Sequence, residues 1–276
     1  MLIKPAGPVF RKFDFPPLGI GVNAAAGVTN LTPSATLNTK GAYSQLIAST
    51  AAVTRSILIQ CSAAVVQVTP GKQWLIDIAL GGAGSEVNLI PNLVFGVPTQ
   101  YSNSGFCMLL PMTIAAGTRI SARCQTNINS ATDTAPIKIT TFSQGFGGNG
   151  VDAIGVSTAT SEGTALTPAS GSKSSYVQLT ASAARAYKGM FALFDCQGAA
   201  GGNYTTDQID FATGAAASEV VFLPDFMLND SSGSFAPYGN CTGYLPFSIP
   251  AASRIAVRGQ GSGTANAIGV SVYGVY

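Results

Sequence analysis

Hydrophobic and polar residues alternate along short segments of this chain, and the alternation predicts β-strands. In the segment "RISARCQ", Ile120, Ala122 and Cys124 fall on one side of a strand and the polar residues fall on the other. Clusters of Gly, Pro, Asn and Ser separate such segments, and no segment keeps a helical period over three turns. The pattern predicts an all-β protein.

The strand pattern occurs twice. "LLPMTIAAGTRISARCQ" recurs as "YLPFSIPAASRIAVRGQ", and matching residues such as Glu86 and Glu219 stay 133 to 135 positions apart. Ordered landmarks at a nearly fixed spacing indicate an internal duplication. We therefore predict two tandem homologous antiparallel β-sandwiches, jelly-roll-like rather than immunoglobulin-like. The boundaries are an extended N-terminal arm at 1–26, repeat 1 at 27–146, a linker at 147–162 and repeat 2 at 163–276.

The composition of the chain favours a protein that associates with other protein chains. Charged residues are 9% of the 276 residues, whereas typical soluble domains carry about 25%. Small uncharged side chains lose little rotamer entropy when a second protein covers them. The composition favours a homo-oligomer, and we favour a trimer.

Charge and hydropathy exclude two partner classes. The net charge is +2 and the basic residues are scattered, which is not typical of a nucleic-acid-binding protein. No apolar run approaches the roughly 18–20 residues that a membrane-spanning helix needs. The N-terminal segment lacks the apolar core of a signal peptide. We expect no nucleic-acid partner, no membrane insertion and no secretion signal.

Histidine is absent from the chain, which removes Ser-His-Asp and Cys-His catalysis and His-ligated zinc. Asp77, Glu86, Asp210 and Glu219 remain as candidates for a glycosidase pair, or they make local hydrogen bonds. Since a duplication argues against one tuned site, we predict a protein that is not an enzyme, with no catalytic residues, cofactor or metal. The five cysteines act as buried thiols or include a disulfide.

Two features are candidates for a partner interface. The arm carries Phe10, Arg11, Phe13 and Phe15, and either packs across its own first repeat or adds to the sheet of a neighbour. The hairpins carry arginines that either lie solvated on an outer strand face or meet a carboxylate of a partner. These arginines are Arg119, Arg123, Arg254 and Arg258.

The hairpins "IAAGTRISARCQ" and "IPAASRIAVRGQ" resemble those of virion structural proteins of tailed bacteriophages. The resemblance implies a non-enzymatic phage virion structural protein, most of all a capsid decoration or cement protein bound to the major capsid protein. It also implies assembly into a virion in the host cytoplasm. A tail fibre, spike or baseplate component that binds a host receptor or glycan is the alternative, and a glycan-cleaving enzyme is a third hypothesis.

Overall fold

The computed structural model of this chain is all-β, with antiparallel sheets in a sandwich-like arrangement. It describes residues 22–25, 27–62, 71–97, 105–128, 134–145, 147–195, 197, 207–228, 241–261 and 267–276. We call residues 22–142 the first half and residues 151–276 the second half. Within these ranges, no helix is long and apolar enough to cross a membrane.

In its described residues, the first half has nine strands in two sheets. One sheet has the order β1-β9-β4-β7, with β2 also pairing β9, and the other has the order β3-β8-β5-β6. The strands are β1 (Val22–Ala25), β2 (Thr29–Leu31), β3 (Ser44–Ile47), β4 (Thr54–Ser62), β5 (Lys72–Leu80), β6 (Val87–Val97), β7 (Gly105–Ile114), β8 (Ile120–Thr126) and β9 (Ala135–Phe142).

Ten strands in two further sheets lie in the part of the second half that the structure describes. One has the order β10-β19-β12-β11, with β15 also pairing β19, and the other has the order β13-β18-β16-β17, with β14 also pairing β18. The strands are β10 (Val151–Ile154), β11 (Val156–Ser157), β12 (Glu162–Leu166), β13 (Ala169–Ser170), β14 (Val177–Thr180), β15 (Gly189–Asp195), β16 (Asp207–Thr213), β17 (Val220–Leu228), β18 (Ile255–Gly261) and β19 (Ile268–Val275).

The segment of the second half that matches β7 is irregular in the structure. The segment "GYLPFSIP" meets β15 through isolated bridges, such as that between Met190 and Leu245, and forms no continuous strand. Pro246 and Pro250 lie in this segment, and a proline has no N–H to donate to a ladder. Pro111 lies at the position of the continuous strand β7 that matches Pro246, so a proline alone does not account for the interruption.

Side chains that alternate along the strands fill the cores, as the period of two predicts. Ile120, Ala122 and Cys124 of β8 are buried in a hydrophobic cluster of the first half. A second cluster lies inside the second half and includes Met190 and Phe194 of β15. The hydrophobic pattern of the sequence therefore places the core correctly within each pair of sheets.

The two halves meet in a buried junction. β6 of the first half contacts β10 and β15 of the second half, and Phe191 and Leu193 of β15 join the hydrophobic cluster of the first half. The Tyr273 hydroxyl donates to Asn92 O at 2.7 Å and accepts from Val94 N at 2.9 Å. The junction therefore combines apolar packing with satisfied backbone groups at the edge of β6.

Candidate functional site

A buried carboxylate organises the outer face of the β3-β8-β5-β6 sheet. Asp77 on β5 accepts hydrogen bonds from Lys40 Nζ at 2.7 Å, Arg123 Nε at 2.9 Å and Asn92 N at 2.9 Å. The Arg123 guanidinium also lies over the Tyr43 ring, 4.4 Å from its centroid. Because its charge is paired and its oxygens are bonded, the burial of this carboxylate is compensated.

The second half repeats this arrangement at matching positions. Asp210 accepts hydrogen bonds from Lys173 Nζ at 2.8 Å, Arg258 Nε at 2.8 Å and Asp225 N at 2.9 Å. The Arg258 guanidinium lies over the Tyr176 ring at 4.7 Å. One difference stands out. Asp225 replaces Asn92, and its carboxylate adds an ion pair with Lys173 at 2.7 Å.

The remaining hairpin arginines form a second matched pair of contacts. Arg119 Nη1 lies 2.9 Å from Glu86 Oε1, and Arg254 Nη1 lies 2.8 Å from Glu219 Oε1. Desolvation acts to raise the pKa of each glutamate. Hydrogen bonds from the arginine and from backbone amides outweigh it and hold the pKa of both Glu86 and Glu219 below the ordinary value.

All four hairpin arginines therefore contact carboxylates of their own half. Their predicted role at a partner interface is not tested by these contacts and stays a prediction. The four acids that were candidates for a glycosidase pair each bond an arginine. The arm residues Phe10, Arg11, Phe13 and Phe15 lie outside the described residues.

A fully buried acid lies in the junction between the halves. Asp195 accepts hydrogen bonds from Gly163 N at 2.6 Å and Gln197 N at 2.8 Å. Burial raises the pKa of Asp195, although these amides act in the opposite direction. Partial burial and the charge of Asp195 raise the pKa of Glu162. Asp195 is closed to solvent and also accepts a hydrogen bond from the side chain of Gln73 in the first half, so it contributes to the junction.

The thiols lie in different surroundings. The cysteines that the structure describes are free, with Cys61 and Cys124 buried and Cys107 exposed. Burial raises the pKa of Cys124 to about 12 and that of Cys241 to about 11. In the described part of the chain, no group of three or more Cys, Asp or Glu side chains is placed to hold a metal ion.

The outer faces of the two halves differ most in what covers them. In the first half, Leu75, Val94 and Gln125 are buried beneath the second half, where Gln125 Nε2 donates to Thr158 O at 2.7 Å. We call this the covered face, with Asn92 as its fourth member. The corresponding residues of the second half form the open face: Gln208, Asp225, Met227 and Gln260.

Exposure separates the two faces. Val94 is 2% exposed, whereas Met227 at the matching position of β17 is 62% exposed. Gln208 and Gln260 are half-buried, and the side chain of Asp225 is 60% exposed. Sequence reasoning missed these residues. The signal that could have found them was the set of differences between the repeats, such as Leu75 against Gln208.

The fold defines an all-β protein with antiparallel sheets in a sandwich-like arrangement, and comparisons with known proteins add little. No protein-family model matches the chain, and no curated protein matches it. Among solved structures, the chain is similar to PNGF-II, with 10% identity over 90% of this chain and a TM-score of 0.37. The chain spans 59% of the length of that protein.

Two further solved structures are also similar to this chain, one to the same extent as PNGF-II and one less so. The glycosylasparaginase PNGase F of Flavobacterium meningosepticum has 10% identity over 90% of this chain and 95% of its own, with a TM-score of 0.37. Infectious bursal disease virus, Gx strain, has 12% identity over 91% of this chain and 71% of its own, with a TM-score of 0.21.

These comparisons contradict the predicted function. The prediction of a non-enzymatic phage virion protein, whether for capsid decoration or for the tail, is contradicted, since the solved structures similar to this chain include the glycosylasparaginase PNGase F. What remains of the viral resemblance is the weak likeness to infectious bursal disease virus. The prediction depended on a hairpin of small turn residues between two strands, and turn geometry favours such residues in many β-proteins.

Identities of 10% and TM-scores of 0.37 do not assign the activities in those names to this chain.

Proposed function

We propose that this chain is a self-associating β-sandwich protein that binds further copies of itself through the open face. The observation that supports the proposal is the exposure of Met227, 62%, against 2% for Val94 at the matching position. The first half shows that a face of this construction accepts another β-sandwich as its cover. The second half presents the same construction to solvent, where a second copy supplies the missing cover.

The proposal includes an origin of the two halves by duplication, as tandem homologous sandwiches. The support comes from matched contacts. Lys40, Asp77 and Arg123 recur as Lys173, Asp210 and Arg258, with distances that agree within 0.1 Å. Positive φ angles recur as well, at Asn92 (51°) and Asp225 (48°).

The association is weaker than the junction inside the chain. Gln208 stands where the covered face has Leu75, so the open face offers less apolar area to bury. Between separate chains, association also costs translational and rotational freedom that the linked halves do not lose. We therefore expect reversible, concentration-dependent oligomers, and the trimer favoured from composition stays a prediction.

Sedimentation velocity on the full chain tests the proposal. The concentration runs from about 1 µM to about 1 mM, the range where weak interfaces associate. The wild type should shift to larger species as concentration rises. Met227→Lys places a charge in the contact and should remain monomeric, with a free energy of unfolding within about 0.5 kcal/mol of the wild type because the site is exposed.

A matched variant controls for the loss of an exposed apolar side chain. Val87→Lys makes the same change on the first half, where Val87 is 71% exposed and lies outside the covered face. This variant should associate like the wild type. A wild type that stays monomeric at every concentration contradicts the proposal, and so does a Met227→Lys variant that associates normally.

A further inference from the structure

The proposed self-association does not specify the surface that the open face binds. We infer that the open face docks on the outer sheet of the first half of another copy. The term outer sheet denotes the solvent-facing residues of β4, β7 and β9. These are Leu58, Gln60, Leu109, Lys138 and Thr140. The inference rests on the proposed function and names the partner surface.

The outer sheet is the counterpart of the surface that covers the first half. Ile57 and Ile59 of β4 point into the first core, as Met190 and Ala192 of β15 point into the second. Leu58, between the inward pair, therefore matches Phe191. The strand registers agree, because Leu58 pairs with Thr140 and Phe191 pairs with Tyr273.

The matched surfaces differ in burial. Phe191 and Tyr273 stack with ring centroids 4.7 Å apart and are buried against the first half. Tyr244 packs at the same junction, whereas Leu109, its counterpart on β7, is 55% exposed. The chain thus carries two complementary pairs of surfaces, and only one pair is joined within a single copy.

A groove marks the unjoined surface. It has a volume of about 230 Å³ and is lined by Val28, Gln60, Pro136, Ile137 and Lys138. The corresponding place in the second half is closed. There Ser271, the counterpart of the half-buried Lys138, is fully buried, and Asp195 of the same half fills the space beside Gly269. Gln60 and Lys138 of the groove match Leu193 and Ser271 of the second half, which are both buried.

Charge distinguishes the unjoined pair from the joined pair. Ser271 and Asn92, on the two sides of the junction, are neutral, and their counterparts are Lys138 and Asp225. Both counterparts are accessible and their charges are opposite. Asp225 already pairs with Lys173, but its exposed carboxylate accepts a second cation. Such complementarity fixes the register of two copies and makes their association sensitive to salt.

The contact is heterologous, because the open face of one copy meets a different surface on the next. Each copy then keeps one free surface of each kind, so association continues until a ring closes or a filament forms. The two surfaces can be blocked separately, which makes the arrangement testable.

The test uses sedimentation velocity with two variants of the full chain. Lys138→Glu should weaken self-association at least about tenfold, as the loss of a close charge pair does. Lys188→Glu makes the same charge reversal on an exposed lysine of the second half and should associate like the wild type. Unchanged melting temperatures confirm that both variants fold.

Mixing separates this inference from its alternatives. Met227→Lys keeps an intact outer sheet and Lys138→Glu keeps an intact open face, so at a concentration where each variant alone is monomeric, the mixture should form a 1:1 dimer and nothing larger. A mixture that stays monomeric, or a Lys138→Glu variant that associates like the wild type, overturns the inference. If Met227→Lys still blocks association in that case, the proposed function stands and the copies meet through another surface.

Discussion

The first and second halves build the same face and differ in whether it is covered. On the first half, the face holds Leu75 and Val94, and the second half buries both. On the second half, Gln208 and Met227 take their places and face solvent in the single chain. The residue types at these positions therefore depend on whether the second sandwich covers the face, and not on strand geometry.

The sheets on the other side of each sandwich show the same relation. Where the second half contacts the first, it presents Phe191, Leu193 and Tyr273, all buried. The matching outer sheet of the first half presents Leu58, Gln60 and Thr140, which are half-buried. A permanent contact is more apolar than a reversible one, and the two pairs of surfaces differ in that direction.

Substitution of the buried aspartates should give the largest difference in the free energy of unfolding between the two halves. Asp77→Ala leaves the ammonium of Lys40 with only Leu75 O as a partner, and losing one partner of a buried pair costs about 3–5 kcal/mol. Asp210→Ala should cost less by at least about 1 kcal/mol, because Lys173 keeps its charged partner Asp225. Urea denaturation of the two variants measures the difference.

A double variant identifies the cause of that difference. Adding Asp225→Asn to Asp210→Ala gives the second half the neutral side chain that the first half has at Asn92. The combined loss in the free energy of unfolding should then match that of Asp77→Ala. If Asp210→Ala alone is already as costly, the added ion pair does not distinguish the halves.

A smaller difference between the halves is expected in the pKa values of Lys40 and Lys173. Burial lowers the pKa of Lys40 below 10.5, against the attraction of Asp77. Burial also acts to lower the pKa of Lys173, but hydrogen bonds and charges from Asp210 and Asp225 outweigh it and raise the pKa. NMR titration of the lysine side chains should therefore show Lys40 losing its proton at a lower pH than Lys173.

The signs of the two stability contributions are opposite. Because its folded pKa is raised, Lys173 contributes stability that is complete below pH 10.5 and is lost as the pH rises through the folded pKa. Lys40 has a lowered folded pKa, so its contribution increases as the pH rises from that value to 10.5. Asp225→Asn should lower the pKa of Lys173, and a titration order with Lys40 above Lys173 would contradict this interpretation.

Sequence pattern predicted the strands and missed the junction. Alternation along "RISARCQ" placed Ile120 and Cys124 in the core because one sheet face must be buried. The same pattern could not show that the outer face of β6 is buried too, since burial there depends on contact with residues far along the chain. Leu75 between polar neighbours Gln73 and Asp77 was the local sign of a second cover.

The candidate site was predictable only in part. The repeated acids and arginines were visible as repeats, but their pairing into clusters required the strand register. The candidates of the present proposals, Met227, Asp225 and Lys138, differ from their counterparts. Only the positions at which the two repeats differ point to these three residues.

Hydrogen–deuterium exchange of the full chain, measured at low and high protein concentration, tests the central claim most directly. At low concentration, the Val94 amide should be protected, because it donates to Tyr273 at 2.9 Å, and the segment around Met227 should exchange faster. At high concentration, that segment should become protected while Val94 does not change. Exchange around Met227 that is equally slow at both concentrations, or that stays fast while the protein associates, would contradict the claim.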